Sequence, residues 1–136
     1  MTKKTKRVAL FSALSAKVAA GELIIVDEIK LEANKTAEMV KMFKALGCEK
    51  EATKNYKVTT VNEGEVVKER KTRTAVVPQS ALVVLPAVDA VVIGSCRNIP
   101  GVETTLYSTI NVYEVLKAEK VVMTRAAVEK LQEVYA

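Results

Sequence analysis

The sequence predicts an α/β fold: a three-layer α/β/α domain on a mostly parallel four-stranded sheet, with an exposed β-hairpin inserted at about residues 50–80. Three observations predict it. Short aliphatic runs recur along the chain, and each is followed by a segment with apolar residues at helical spacing, as in parallel strands joined by helical crossovers. The hydrophobic fraction is 49% but aromatics are only 4%, with no Trp, so an ordinary globular core must be built from Val, Leu, Ile and Ala. Residues 49–80 break the rhythm with an alternating stretch whose two faces are both too polar to bury. A length of 136 residues suits one domain, so 1–136 is expected to be a single α/β domain carrying a polar insertion at about 49–80.

Residues 8–20 place Val8, Phe11, Leu14, Ser15 and Val18 on one side of a helix, which stops at Gly21. Glu22 to Asp27 is a short apolar run of the length of a buried parallel strand. A second helix begins near Asn34 to Thr36, turns Met39, Val40, Phe43 and Leu46 inward, and ends at Gly47. Tyr56 to Val61 alternates, Asn62-Glu63-Gly64-Glu65 turns, and Val66 to Thr74 returns, which makes the inserted hairpin. Ala81 to Leu85 is the second buried strand. Asp89 caps a helix that presents Val92, Ile93 and Cys96. Beyond the Pro100-Gly101 turn, Glu103 to Tyr107 is a third strand, and Asn111 caps a short helix with Val112, Val115 and Leu116. Lys120 to Met123 is the fourth strand, and Thr124 caps a last helix with Ala127, Val128, Leu131 and Val134 inward.

The chain has no histidine, which rules out Ser-His-Asp and Cys-His catalysis and most zinc sites. Its two cysteines, Cys48 and Cys96, form no CxxC and are expected to be reduced thiols, Cys96 inward on its helix and Cys48 the more reactive. No glycine belongs to a phosphate-cradling loop, so no cofactor is expected. No secretory or membrane-spanning stretch stands out, and the expected location is the cytoplasm. The best enzyme reading uses the crevice beyond the carboxyl ends of parallel strands. There Asp27, Glu28 and Asp89 would together hold a magnesium ion, as in a receiver-like domain; the alternative is a solvated loop and a helix cap.

The net charge of +5 favours a polyanionic partner. Lys3, Lys4, Lys6 and Arg7 lie together with no acid before Glu22, and Lys17, eleven residues after Lys6, is expected on the same side of the helix as Lys6. They are either phosphate contacts on an ordered support or a solubilising terminus. Lys68, Arg70, Lys71 and Arg73 form a second cluster in the hairpin's return strand, diluted by Glu63, Glu65 and Glu69. This cluster binds RNA or protects an edge strand. Arg97-Asn98, between a helix end and a turn, either fork onto a phosphate and ribose or cap the helix.

Taken in order, Arg7 to Ser15, Gly21 to Asp27, Lys35-Thr36, Leu46-Gly47, Ala81 to Leu85, Arg97 to Val102, Asn111 to Leu116 and Val122 to Leu131 resemble the bacterial large-subunit ribosomal protein four family. The resemblance covers residues 5–48 and 81–135. It implies a non-catalytic domain that binds large-subunit ribosomal RNA beside neighbouring ribosomal proteins, with no small-molecule substrate and no membrane. For some members it implies repression of their own operon through the messenger leader. With RNA as the partner, the charge clusters place the RNA-binding residues among Lys3, Lys4, Lys6, Arg7, Lys17, Arg97, Asn98, Arg70, Lys71 and Arg73, and the dense, acid-free N-terminal group on its helix is expected to contribute most. Family members also carry an N-terminal segment and a long basic loop. This chain is expected to begin after both, as a fragment, a truncated product or a chain completed by another. The 49–80 insertion departs from the family's compact pattern.

Overall fold

The computed structural model describes residues 2–135, and the side chains of these except 51–54, 56 and 74–78. The elements run α1 (Lys3–Ala19), β1 (Leu23–Val26), α2 (Thr36–Ala45), β2 (Glu49–Asn62), β3 (Glu65–Pro78), β4 (Ala81–Leu85), α3 (Ala90–Cys96), β5 (Val102–Leu106), α4 (Val112–Lys117), β6 (Lys120–Thr124) and α5 (Arg125–Tyr135). Four strands form one parallel sheet in the order β1-β6-β4-β5, while β2 and β3 form a separate antiparallel ribbon. The predicted fold class holds.

Because side chains alternate across a strand, β4 divides its apolar residues between two layers. Leu82 and Val84 pack with Leu10, Ala13, Val115, Ala127 and Leu131 of α1, α4 and α5. Ala81, Val83 and Leu85 face Met39, Phe43, Val92 and Cys96 of α2 and α3. The central strand is therefore covered on both faces, which is why it reads as an unbroken aliphatic run. A buried side chain of the Val, Leu or Phe class contributes roughly 1.5–3 kcal/mol.

The caps read from the sequence are formed. Asp89 accepts from the N–H groups of Val91 and Val92 at 3.0 and 3.4 Å, Asn111 from Glu114 at 2.9 Å, and Thr124 from Ala127 at 3.2 Å. α2 begins at Thr36 without a side-chain cap.

The buried face of α1 differs from the expected stripe. Leu10, Ala13 and Lys17 are buried, with Leu14 packed beside them, whereas Val8 and Val18 are 66% and 59% exposed and Phe11 is exposed as well. Both sets have helical periodicity. The helix buries the set with Leu10, Ala13 and Leu14, and Lys17 is accommodated on that face because its ammonium finds two partners, described below. Leu116 and Val134 also face solvent rather than the core.

The ribbon is longer than the sequence suggested. Two strands of 14 residues pair along their full length, from Glu49↔Pro78 to Asn62↔Glu65, a span of roughly 45 Å at the usual rise of a strand. Its two-residue turn, Glu63-Gly64, has positive φ at both positions, 49° and 85°, as a mirror-image hairpin turn requires. Among the described side chains, those from Lys57 to Arg73 are exposed apart from a half-buried Val58. At its base Gln79 N–H donates to the Cys48 carbonyl at 2.8 Å, and Lys50 pairs with Glu119 at 2.6 Å.

Candidate nucleic-acid interface

The first two turns of α1 carry Lys3, Lys4, Lys6 and Arg7, all exposed, and no acid. Thr2 caps it, its hydroxyl accepting from the Thr5 N–H at 3.3 Å. The positive end of a helix dipole disfavours cations, so this arrangement works against the helix's own stability unless an anion is near. Leu10 and Ala13 in the core hold the helix, and Arg7 is further oriented by α5. Its guanidinium lies 5.9 Å from the centroid of the Tyr135 ring, against which Phe11 packs edge-on at 6.1 Å. A contact of this kind is worth about 0.5–1 kcal/mol at an exposed site. Beside it lies a groove of about 590 Å³ between Lys3, Lys6, Arg7 and Tyr135 on one side and Ile110 and Asn111 on the other.

Lys17 does not join this group. Its side chain is 11% exposed, and its Nζ donates to Glu22 Oε2 at 2.7 Å and to the Ala118 carbonyl at 2.6 Å. This corrects the expectation that it projects alongside Lys6. The hydrogen bond from Lys17, with its positive charge, holds the Glu22 carboxyl below the ordinary carboxylate value.

Arg97 and Asn98 end α3 and are exposed. Neither side chain has a hydrogen bond or ion pair to other described residues. The loop after them returns to the root of the ribbon, where Ala81 N–H donates to the Gly101 carbonyl at 3.0 Å. Gly101 has φ 78°, a left-handed conformation in which a side chain would be strained, although a Cβ would meet Ser80 only at ordinary contact distance. Arg97, Asn98 and the ribbon's root therefore share the amino ends of β4 and β5. The α1 cluster lies beside the start of α4, which follows the carboxyl end of β5. The two basic regions occupy opposite ends of the sheet.

The ribbon's register sorts its charges more cleanly than the sequence implied. Lys57 stands opposite Arg70, and Thr59 opposite Lys68. These positions share a face, with Val61↔Val66 nearer the turn and Asn55↔Thr72 nearer the base. Glu65 and Glu69 have the other parity and fall on the face of Lys71 and Arg73. From the Asn55↔Thr72 pair to the turn the acids thus fall on one face only, whereas Glu49 and Glu51 near the base share the parity of Lys57. Lys57 was missed in the sequence, although folding the strands about the Glu63-Gly64 turn would have aligned it with Arg70.

The acidic crevice exists but does not make a metal centre. Asp27, Glu28, Pro86, Asp89 and Thr124 line a space of about 500 Å³ beyond β1, β4 and β6, where ligands of parallel sheets bind. Asp89 is committed to capping α3, and Glu28 pairs with Lys30 at 3.0 Å. Among the described residues no three acidic, Cys or His side chains converge as metal ligands.

Both thiols are buried and free, at 0% exposure each, so the expectation of a more reactive Cys48 is corrected. Its segment follows the end of α2 back under the sheet, where Cys48 packs with Met39 and Phe43. Burial pushes the Cys48 thiol up and the Cys96 thiol up to about 11. Among the described residues no helix is long and apolar enough to cross a membrane.

Comparison with known proteins agrees with the resemblance noted in the sequence. The model of the Ribosomal protein L4/L1 family matches residues 1–134. Large ribosomal subunit protein uL4 of Alkaliphilus oremlandii is 40% identical over 134 residues, covering 98% of this chain and 51% of that protein. The uL4 proteins of Agathobacter rectalis and Clostridium botulinum (strain Loch Maree) are 38% and 39% identical, covering 100% and 98% of this chain and 52% and 50% of theirs. The chain therefore spans about half the length of the curated relatives it matches. On the strength of a family model that runs almost end to end, and of relatives matched along nearly every residue, this chain belongs to the Ribosomal protein L4/L1 family.

Proposed function

We propose that the chain is a structural, non-catalytic constituent of the large ribosomal subunit, working in the cytoplasm as a single domain that binds ribosomal RNA beside neighbouring ribosomal proteins. Lys3, Lys4, Lys6 and Arg7 are its principal phosphate contacts, with Arg97, Asn98, Arg70, Lys71 and Arg73 as further ones. One observation carries this reading beyond family membership. Three exposed lysines stand on the first turn of a core-anchored helix with Arg7 just behind them, where the dipole disfavours the lysines and no acid compensates. Such a local conflict is what a binding site for a polyanion leaves behind. The opposite placement of the second basic region supports a role in holding two RNA segments in register.

Filter binding to large-subunit ribosomal RNA fragments at increasing salt tests the reading. Release of counterions from about four phosphates gives a log–log slope of about −3 to −4. A slope near zero, or equal affinity for heparin and cognate RNA at every salt, contradicts it.

A further inference from the structure

We infer that one face of the β2–β3 ribbon, bearing Lys57, Lys68 and Arg70, is a second RNA-binding site that lies along the backbone of a base-paired RNA segment. The inference rests on the proposed function for its polyanion and goes beyond it in naming the face, the residues and the kind of RNA.

Lys57 and Arg70 form a like-charge pair. They are directly opposite in the ladder, which places their Cβ atoms about 4.5–5.5 Å apart, and like charges so placed destabilise a sheet. Lys68 adds a third cation one step nearer the turn on the same face. Between Asn55 and Val61 on β2, and between Val66 and Thr72 on β3, this face holds no acid. Among the described residues no carboxylate forms an ion pair with any of the three. The other face also sets Lys54 opposite Arg73, but there Glu69 lies beside Lys71 along β3 and Glu65 lies nearer the turn, so carboxylates stand among its cations, as in a charge-protected edge. A two-stranded ribbon is only marginally stable alone, so concentrating repulsion on one face is costly unless a polyanion relieves it.

The same face indicates which polyanion. It carries no aromatic residue between Asn55 and Val61 or between Val66 and Thr72, so it offers no platform for stacking unpaired bases. What it offers is a strip of cations and hydroxyls ending in the exposed Val61↔Val66 pair. The wide, shallow minor groove of an RNA duplex presents phosphates and 2′-hydroxyls to such a surface. There the cations meet phosphates and the two valines meet ribose and base edges.

The test compares the full chain with two variants, Lys57→Gln/Lys68→Gln/Arg70→Gln and Lys71→Gln/Arg73→Gln. Each is titrated with a large-subunit ribosomal RNA fragment, a short RNA duplex, a single strand of equal length and anionic lipid vesicles. The first variant should lose on the order of tenfold or more in duplex affinity at low salt and flatten the salt slope by about 0.7–0.9 for each phosphate it no longer neutralises. The second removes further phosphate contacts and should also lose affinity, but clearly less than the first, and the single strand and vesicles should bind more weakly than the duplex. A third variant, Lys57→Glu, places an acid opposite Arg70. It should raise the hydrogen-exchange protection of the ladder while weakening RNA binding, a pair of opposite effects that unfolding cannot produce. Equal losses in the two Gln variants, or no loss in the first while the parent chain keeps a steep salt slope on the ribosomal fragment, overturns the ribbon site alone. Equal binding of the single strand or vesicles overturns the duplex as its occupant. Absence of salt-dependent binding by the parent chain overturns the proposed function beneath it.

Discussion

The Lys17 Nζ lies 2.7 Å from Glu22 Oε2 across the turn that joins α1 to β1, and the same ammonium reaches the Ala118 carbonyl at 2.6 Å, just before β6. One cation thus ties together the ends of two adjacent parallel strands. Replacing it by Met keeps the apolar stem but leaves a carbonyl and a carboxylate without their partner. Lys17→Met is expected to lower stability by about 1.5–3 kcal/mol, the usual worth of a hydrogen bond to a charged group, and to leave the RNA salt slope unchanged. Denaturant titration and filter binding read the two effects separately.

The same pair sets a pH dependence. Glu22 is held below its ordinary value in the folded state, chiefly by the hydrogen bond from Lys17. Its contribution is therefore complete above the unfolded carboxylate value of about 4.3 and is lost as the pH falls through the lower folded value. Glu22→Gln should flatten the loss of thermal midpoint below about pH 4.5. An unchanged acid limb would show that the pair contributes nothing.

The two thiols should behave alike. Cys48 and Cys96 are both buried, and burial raises both, Cys96 to about 11. At pH 8 roughly one Cys96 in a thousand carries the reactive thiolate, and an attacking reagent must also wait for the core to open. Labelling with a disulfide reagent should be slow for both and accelerate in parallel with denaturant. A fast phase of one thiol in native conditions would contradict the packing of that cysteine.

The ribbon's turn contains a removable strain. Glu63 has φ 49°, a left-handed conformation that costs a residue of its kind about 1–2 kcal/mol and that Asn tolerates better. Glu63→Asn should increase protection of the ladder amides, with the sheet of β1, β6, β4 and β5 unaffected. Decreased protection would mean that the Glu63 side chain holds the turn by more than its backbone strain costs.

Much of this molecule was legible because its signals are local. Asp89, Asn111 and Thr124 announce helix starts by chemistry that acts within three residues, and the Ala81–Leu85 run is long enough to mark a doubly covered strand. What misled was anything decided by a distant partner. α1 buries Leu10 and Ala13 rather than the stripe of Val8, Phe11 and Val18, and Lys17 can follow them inward because Ala118 and Glu22 receive it. Cys48 is covered by residues of its own layer, although it follows a helix-ending glycine that suggested a surface. The acids of the crevice were rightly brought near one another, yet capping and a local lysine had already engaged two of them. In the ribbon, composition alone mixed charges that register separates.

Ordered cations on α1 are the proposed principal contacts with ribosomal RNA. The most direct test of that role is the salt dependence of binding to a large-subunit ribosomal RNA fragment before and after changing Lys3, Lys4, Lys6 and Arg7 to Gln. The expected result is an unchanged folded spectrum, weaker binding, and a slope flatter by about 0.7–0.9 for each phosphate no longer neutralised, with a larger effect than the ribbon variants produce. A quadruple variant that binds as tightly as the parent chain, with the same slope, would contradict it.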